Sequence, residues 1–157
     1  MNIQLREATI DDLELILAWR NHPEVYKTTY QQGYLGRGLI DWDTHWKWWN
    51  SRQGWFIFII QVAEDDFTRD VGGISLNLNP SCPDIGYYVG EITLWNKGVG
   101  TKAISLALDW LKEKGYREVE ATVLKTNLPS SHVLAKLGFR LIGDGREGEL
   151  VYKKILT

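Results

Sequence analysis

The chain has 157 residues, 44% hydrophobic and 24% charged, the balance of one soluble globular domain (1–157) large enough for a real core. A net charge of −2 offers no basic field to a nucleic acid or an anionic membrane, and no apolar run reaches bilayer-spanning length. The opening residues Met1-Asn2-Ile3-Gln4-Leu5-Arg6 do not read as a signal peptide, and a single cysteine, Cys82, excludes an internal disulfide, so a reducing cytoplasm is the expected setting.

Residues 3–8 read as a first strand, with Ile3 and Leu5 on one face. Thr9 is placed to cap a helix running through Trp19, with Asp11 and Asp12 in its dipole-favoured first turn. Asn21-His22-Pro23 ends it, residues 24–30 suggest a second short helical piece, and residues 31–38 are glycine-bearing and polar, as in a loop. Residues 41–52 have helical spacing and hold four of the eight tryptophans. Trp42, Trp46 and Trp49 fall on one face, expected to be core; His45, Trp48 and Arg52 fall on another. That second face is either an acceptor pocket, with indole stacking on a ring and Arg52 pairing with phosphate, or an exposed edge that meets a partner.

Trp55–Ala63 is apolar almost throughout, the pattern of a central strand covered on both faces. After a charged turn, residues 71–79 alternate, with Ile74, Leu76 and Leu78 inward, and complete an antiparallel hairpin. Cys82, between Ser81 and Pro83 with no neighbouring histidine, reads as an inert thiol. Asp84–Val89 is a further strand, residues 99–114 an amphipathic helix closed by Gly115, and residues 118–123 another strand. Pro129 opens a short helix that Gly138 terminates, and residues 139–142 and 149–156 suit a final hairpin.

The chain is organised around the passage from Asp84-Ile85-Gly86-Tyr87-Tyr88-Val89 to Trp95-Asn96-Lys97-Gly98-Val99-Gly100-Thr101. Its glycines sit where a helix begins. The first amides of a helix lack intrahelical partners and carry partial positive charge, so a glycine turn at that place admits an anion such as a phosphate. The plain alternative is a strand–turn–helix joint whose glycines only relieve strain. The same residues fit Gly-x-Gly-x-x-Ala, a dinucleotide-binding variant, with Glu118 and Glu120 near the spacing of a ribose-binding acid. Those glutamates open the following strand rather than end it, and too little chain follows for a second mononucleotide half.

Trp95-x-x-Gly98-x-Gly100, after an Ile-Gly-Tyr-Tyr strand and before a helix, resembles the acetyl-CoA signature of the GNAT N-acetyltransferases, with Trp in place of the usual Gln or Arg. Asn127-x-x-Ser130 followed by Leu137-Gly138-Phe139 resembles their second signature, at the family's spacing. The resemblance spans essentially the whole chain and is nearest the ribosomal-protein and sugar-nucleotide branches. It implies an α/β fold: a mixed, mostly antiparallel sheet flanked by helices and splayed between two parallel strands, Asp84–Val89 and the one that begins at Glu118. Acetyl-CoA, the implied co-substrate, would enter that splay, held by Tyr88, Val89, Lys97, Gly98, Val99, Gly100, Thr101, Asn127 and Ser130. No metal is implied.

An amine must be neutral to attack a thioester, so a carboxylate that takes its proton lowers the barrier. Asp84 is the first candidate and Glu91, at the mouth of the strand, the second. A backbone N–H near Tyr88 or Val89 would meet the developing oxyanion. The family's proton-donating tyrosine, seven residues after Asn127, is Leu134 here, so Ser130, His132 or water is left for that role. The implied acceptor is a small-molecule primary amine, with a nucleotide-linked amino sugar at His45, Trp48 and Arg52 as the leading reading. A protein N-terminus, or a domain that binds acyl-CoA without catalysis, stands as the alternative. A monomer or homodimer is expected.

Overall fold

Strand Trp55–Ala63 (β2) turns alternate side chains into two separate cores, as a strand covered on both faces must. Phe58, Ile60 and Val62 join one cluster, and Ile57 and Ile59 the other. The computed structural model describes residues 1–29 and 39–157. Before β2 come Asn2–Glu7 (β1), a 3-10 turn at Ile10–Asp12, and helices Leu13–Asn21 (α1), Pro23–Thr29 (α2) and Trp42–Asn50 (α3). After it come Thr68–Asn77 (β3), Asp84–Val89 (β4), a 3-10 turn at Ile92–Leu94, Val99–Glu113 (α4), Glu118–Leu124 (β5), Leu128–Lys136 (α5), Arg140–Asp144 (β6) and Glu149–Ile155 (β7). The loop expected at 31–38 lies outside the described residues, as does Tyr30.

The seven strands form one sheet in the order β1-β2-β3-β4-β5-β7-β6. Every neighbouring pair is antiparallel except β4–β5, which is parallel. Val99, Ala103, Ile104, Ala107 and Leu111 of α4, with Leu134 of α5, cover one face. Leu13, Ile16 and Trp19 of α1 and Trp49 of α3 cover the other. Among the described residues no helix is long and apolar enough to cross a membrane.

Two local readings are corrected. The helix expected from Thr9 is a 3-10 turn followed by α1. Asp12, at the junction, accepts from the Thr9 amide at 2.8 Å and takes both prongs of the Arg6 guanidinium at 2.7 and 2.9 Å. Arg6 also donates to Asp70 at 2.9 Å, so one cation ties β1, the turn and β3 together and holds the Asp12 carboxyl below its ordinary range. Of the tryptophan stripe of α3 expected to be core, Trp49 alone is. Trp42 and Trp46 are 47% and 38% exposed and stack on each other, with ring centroids 6.4 Å apart.

The buried stripe of α3 is His45 and Trp49, 0% and 5% exposed. The i, i+4 pair that meets α1 includes a histidine because its Nε2 lies 2.8 Å from the Leu13 carbonyl and satisfies it. We expect Trp49→Ala to lose about 3–5 kcal/mol of unfolding free energy and Trp42→Ala to stay within about 0.5 kcal/mol of the parent, as read by urea titration.

Candidate active site

Strands β4 and β5 share one ladder position, Asp84 opposite Glu120, where the Glu120 amide donates to the Pro83 carbonyl at 2.8 Å. Beyond it they diverge. On the other edge of β4 the ladder with β3 continues through Val89 opposite Gly72, and the Gly90 amide donates to Val71 at 2.7 Å. An antiparallel ladder uses alternate residues, so this register commits the Tyr88 N–H to β3 and turns those of Tyr87 and Val89 toward the gap. Of the two amides expected to face an oxyanion, Val89 is therefore the one in position, with Tyr87 beside it.

The Val89 carbonyl also points into the gap and accepts from the Trp95 indole at 2.8 Å. This bond gives Trp95 its role in the motif: it anchors the loop before α4 to the end of β4 and occupies a carbonyl that would otherwise pair with β5. The loop then makes two left-handed steps, Asn96 at φ 63° and Gly98 at φ 82°. Gly98 is the cap of α4 and has no Cβ to oppose that conformation.

The first amide bonded within this turn is that of Lys102, which donates to the Gly98 carbonyl at 3.0 Å. The amides of Val99, Gly100 and Thr101 thus precede the helical ladder, no side chain caps them, and no acid occupies the first turn. A Cβ built on Gly98 would meet no atom within 4 Å, so the space above the turn is open to a ligand. A cavity of about 550 Å³ lies there, and its wall includes Tyr88, Val89, Gly98, Val99, Gly100, Thr101, Asn127 and Ser130. Lys97 is exposed and forms no part of that wall. The open turn and its unpartnered amides suit the pyrophosphate of CoA, and the exposed edge of β4 suits the amides of its pantetheine arm.

A smaller cavity of about 130 Å³ fills the fork between β4 and β5, floored by Ile85, Ile104, Ala121 and Leu134. Thr28, Tyr87, Asn127 and Ser130 border both spaces. The Tyr87 hydroxyl lies 2.8 Å from Ser130 Oγ. Asn127 caps α5, accepting from the Ser130 amide at 3.3 Å, and donates to the Thr28 carbonyl at 3.2 Å. Asn127 thus forms the turn, the plain reading of it, and also borders the cleft. His132 is exposed on α5 at the rim of the larger cavity.

Asp84 stands at the closed end of the fork, next to Ile85 and Gly86 of its wall. Burial, then the charges of Glu120 and Glu149, push its pKa up to about 7. Glu149 of β7 lines the smaller cavity itself; no local motif marks it, because it reaches the fork through a strand pairing 25 residues after Leu124 opposes it. Glu91 is absent from both walls; its amide donates to Val71 at 3.1 Å behind β4. Cys82 is an unpaired thiol that burial pushes up to about 11, in keeping with an inert role.

The acceptor face expected on α3 does not reach either cavity. His45 is enclosed between the Leu13 carbonyl and Arg20, whose Nη1 lies 3.2 Å from Nδ1, and burial lowers its pKa. Trp48 stacks on His45 with centroids 5.2 Å apart, and Arg20 lies over the Trp48 ring at 4.9 Å. Arg52 lies 3.5 Å from the Trp49 ring centroid and donates to the Trp49 carbonyl at 2.6 Å. The assignment of His45 to a substrate is thus corrected: its two ring nitrogens hold α1 and α3 together.

These shifts have opposite signs in stability. The raised pKa of Asp84 means that its contribution is intact below about pH 4 and is lost as pH rises through 7. The lowered pKa of His45 means that its contribution is intact above about pH 6.5 and is lost as pH falls. Calorimetric melting of Asp84→Asn should therefore show a higher Tm than the parent at pH 8 and no such gain at pH 4.

Residues 2–140 match the family model described as an acetyltransferase (GNAT) domain. An uncharacterized protein of Methanocaldococcus jannaschii is 38% identical over 152 residues, which cover 96% of this chain and 31% of that protein, so the chain spans about a third of this relative's length. The crystal structure of a domain from the same organism superposes with a TM-score of 0.92 at 37% identity, covering 99% of both chains. An aminoglycoside acetyltransferase solved with coenzyme A superposes with a TM-score of 0.81 at 14% identity, covering 98% of this chain and 95% of that one. At that identity the likeness concerns the fold, and the fold includes the forked sheet described above. The chain belongs to the GNAT acetyltransferase family.

Proposed function

We propose that this domain transfers the acetyl group of acetyl-CoA to the primary amine of a small molecule. One observation carries the reading: the larger cavity has uncapped helix amides and the unpaired edge of β4 on its wall, and the fork it adjoins closes at Asp84, a carboxylate that lines neither cavity. Acetyl-CoA supplies the activated acyl group. The amides of Val99, Gly100 and Thr101 hold its phosphates, and the β4 edge aligns the arm. The Val89 N–H faces the carbonyl oxygen on which negative charge develops.

Asp84 accepts the amine proton. A carboxyl with a pKa near 7 is matched to proton transfer at neutral pH, and the neighbouring Glu120 and Glu149 favour an approaching cation. This acidic end suits a small ammonium. The aminoglycoside acetyltransferase that shares the fold acts, by its name, on amino-sugar compounds, which supports an amino sugar, nucleotide-linked or not, as the first acceptor class to test. With His45 buried, that class rests on the acidic end of the cleft and not on α3.

The test is release of free thiol from acetyl-CoA in the presence of amino sugars, nucleotide-linked amino sugars, polyamines and a peptide with a free N-terminus. Turnover with a small amine supports the proposal, whereas turnover confined to the peptide overturns the acceptor class. Tight CoA binding without turnover on any amine makes the domain a sensor. In the same assay Asp84→Asn should lower kcat by about 10²–10⁴-fold while calorimetric CoA affinity stays unchanged. Gly100→Glu should abolish CoA binding, because it adds a like charge at the pyrophosphate and its Cβ would lie 2.9 Å from Cε2 of Tyr87.

A further inference from the structure

The hydroxyl pair Tyr87–Ser130 lies where the two cavities meet, and the fold goes to some length to place it there. Tyr87 belongs to β4 and Ser130 to α5, 43 residues apart, yet their oxygens are 2.8 Å apart. The Tyr87 ring lies over the start of α4, and the missing side chain of Gly100 makes room for it. Ser130 is buried, and its own amide is fixed on Asn127 Oδ1.

Departure of a thiolate inside a fork floored by Ile85, Ile104, Ala121 and Leu134 leaves a charge in apolar surroundings, so a hydrogen-bond donor on the wall lowers the barrier. Among the described residues bordering both cavities, three carry an O–H: Thr28, Tyr87 and Ser130. Only the phenol has an acidity comparable with a thiol, with ordinary pKa values near ~10 and ~8.5. Burial raises the Tyr87 pKa further, so the phenol carries its proton at neutral pH.

We propose that Tyr87, positioned by Ser130, donates a hydrogen bond to the CoA sulfur as it leaves and so stabilises the thiolate. This rests on the acetyltransferase reading. The acceptor nitrogen forms the new bond to the acetyl carbon and yields a proton to Asp84. The carbon–sulfur bond breaks with its electron pair on sulfur, the Tyr87 O–H donates a hydrogen bond to that thiolate and keeps its proton, and the thiolate takes a proton from solvent. A donor from β4 thus stands opposite Leu134 of α5, a side chain that has no proton to give.

The decisive measurement needs no acceptor and no turnover. The thiol of bound CoA is titrated by thiolate absorbance, with CoA lacking its sulfur as blank. A phenol that donates to the sulfur stabilises the thiolate. The parent should therefore titrate roughly 1–2 pH units below Tyr87→Phe, the equivalent of losing one hydrogen bond to a charged group. Tyr87→Phe should also lower kcat on the active amine by roughly 10²-fold without changing CoA affinity at pH 6, where the thiol is protonated. Ser130→Ala, which keeps the phenol and removes its support, should fall between the two. Equal titration of bound CoA in parent and Tyr87→Phe, with both folded by calorimetry, would make the pair a structural tie and overturn the proposal. Failure of the parent to bind CoA would instead overturn the acetyltransferase reading on which it rests.

Discussion

The fork between β4 and β5 is the constraint on which the rest of this domain depends. Two parallel strands in one sheet normally pair along their length, because unpaired backbone groups inside a protein are costly. Here pairing stops after Asp84 and Glu120. What keeps the strands apart is a set of substitutes on each side: the Trp95 indole takes the Val89 carbonyl, and the Gly90 and Glu91 amides are committed to Val71 of β3. A side chain at Gly90 would run into the Trp19 ring, at 2.3 Å, so α1 is pressed against the very end of β4. Closing the fork would mean dislodging these contacts. The gap is therefore part of the folded state and does not wait for a ligand to open it.

The same geometry explains why the charges sit where they do. The closed end of the fork pairs Asp84 with Glu120, Glu149 adds its charge from opposite Leu124 at the other end of β5, and the desolvation of Asp84 is the largest cause of its raised pKa. A chain selected for stability alone would replace such a group, since its ionisation opposes folding at the pH where the protein is expected to work. By contrast Arg6, Asp12 and Asp70 form an ion network that favours the folded state and lies between β1, the first turn and β3, away from both cavities.

Much of this was legible in the sequence. Trp55–Ala63 announces itself as a strand by being apolar almost throughout and Asp84–Val89 by its apolar and aromatic run, and both have the expected ends. The Gly98 turn was legible because left-handed backbone needs a glycine, and the order of elements followed from periodicity. Faces of helices were harder. On α3 Trp42 and Trp46 are exposed while the stripe with a histidine is buried, because burial was decided by what α1 offers: a carbonyl at Leu13 that accepts from the buried imidazole. Hydrophobicity summed over one helix holds no information about a polar group on another.

Pairs distant in sequence were the least legible, and the active fork is made of them. Tyr87 and Ser130, or Asp84 and Glu149, carry no mutual signal along the chain; only the order β4-β5-β7 and the placement of α5 beside β4 bring them together. Leu134 illustrates the point. Taken along the chain, it is a motif position that lost its hydroxyl. In the fold it is part of an apolar floor, 1% exposed, beneath a phenol that enters from the facing strand. The two residues are complementary: a second large polar ring at 134 would compete with Tyr87 for the same space, whereas a leucine leaves that phenol one neighbour with which to bond, Ser130. The donor proposed for this cleft is thus found by position in space and not by position in the chain.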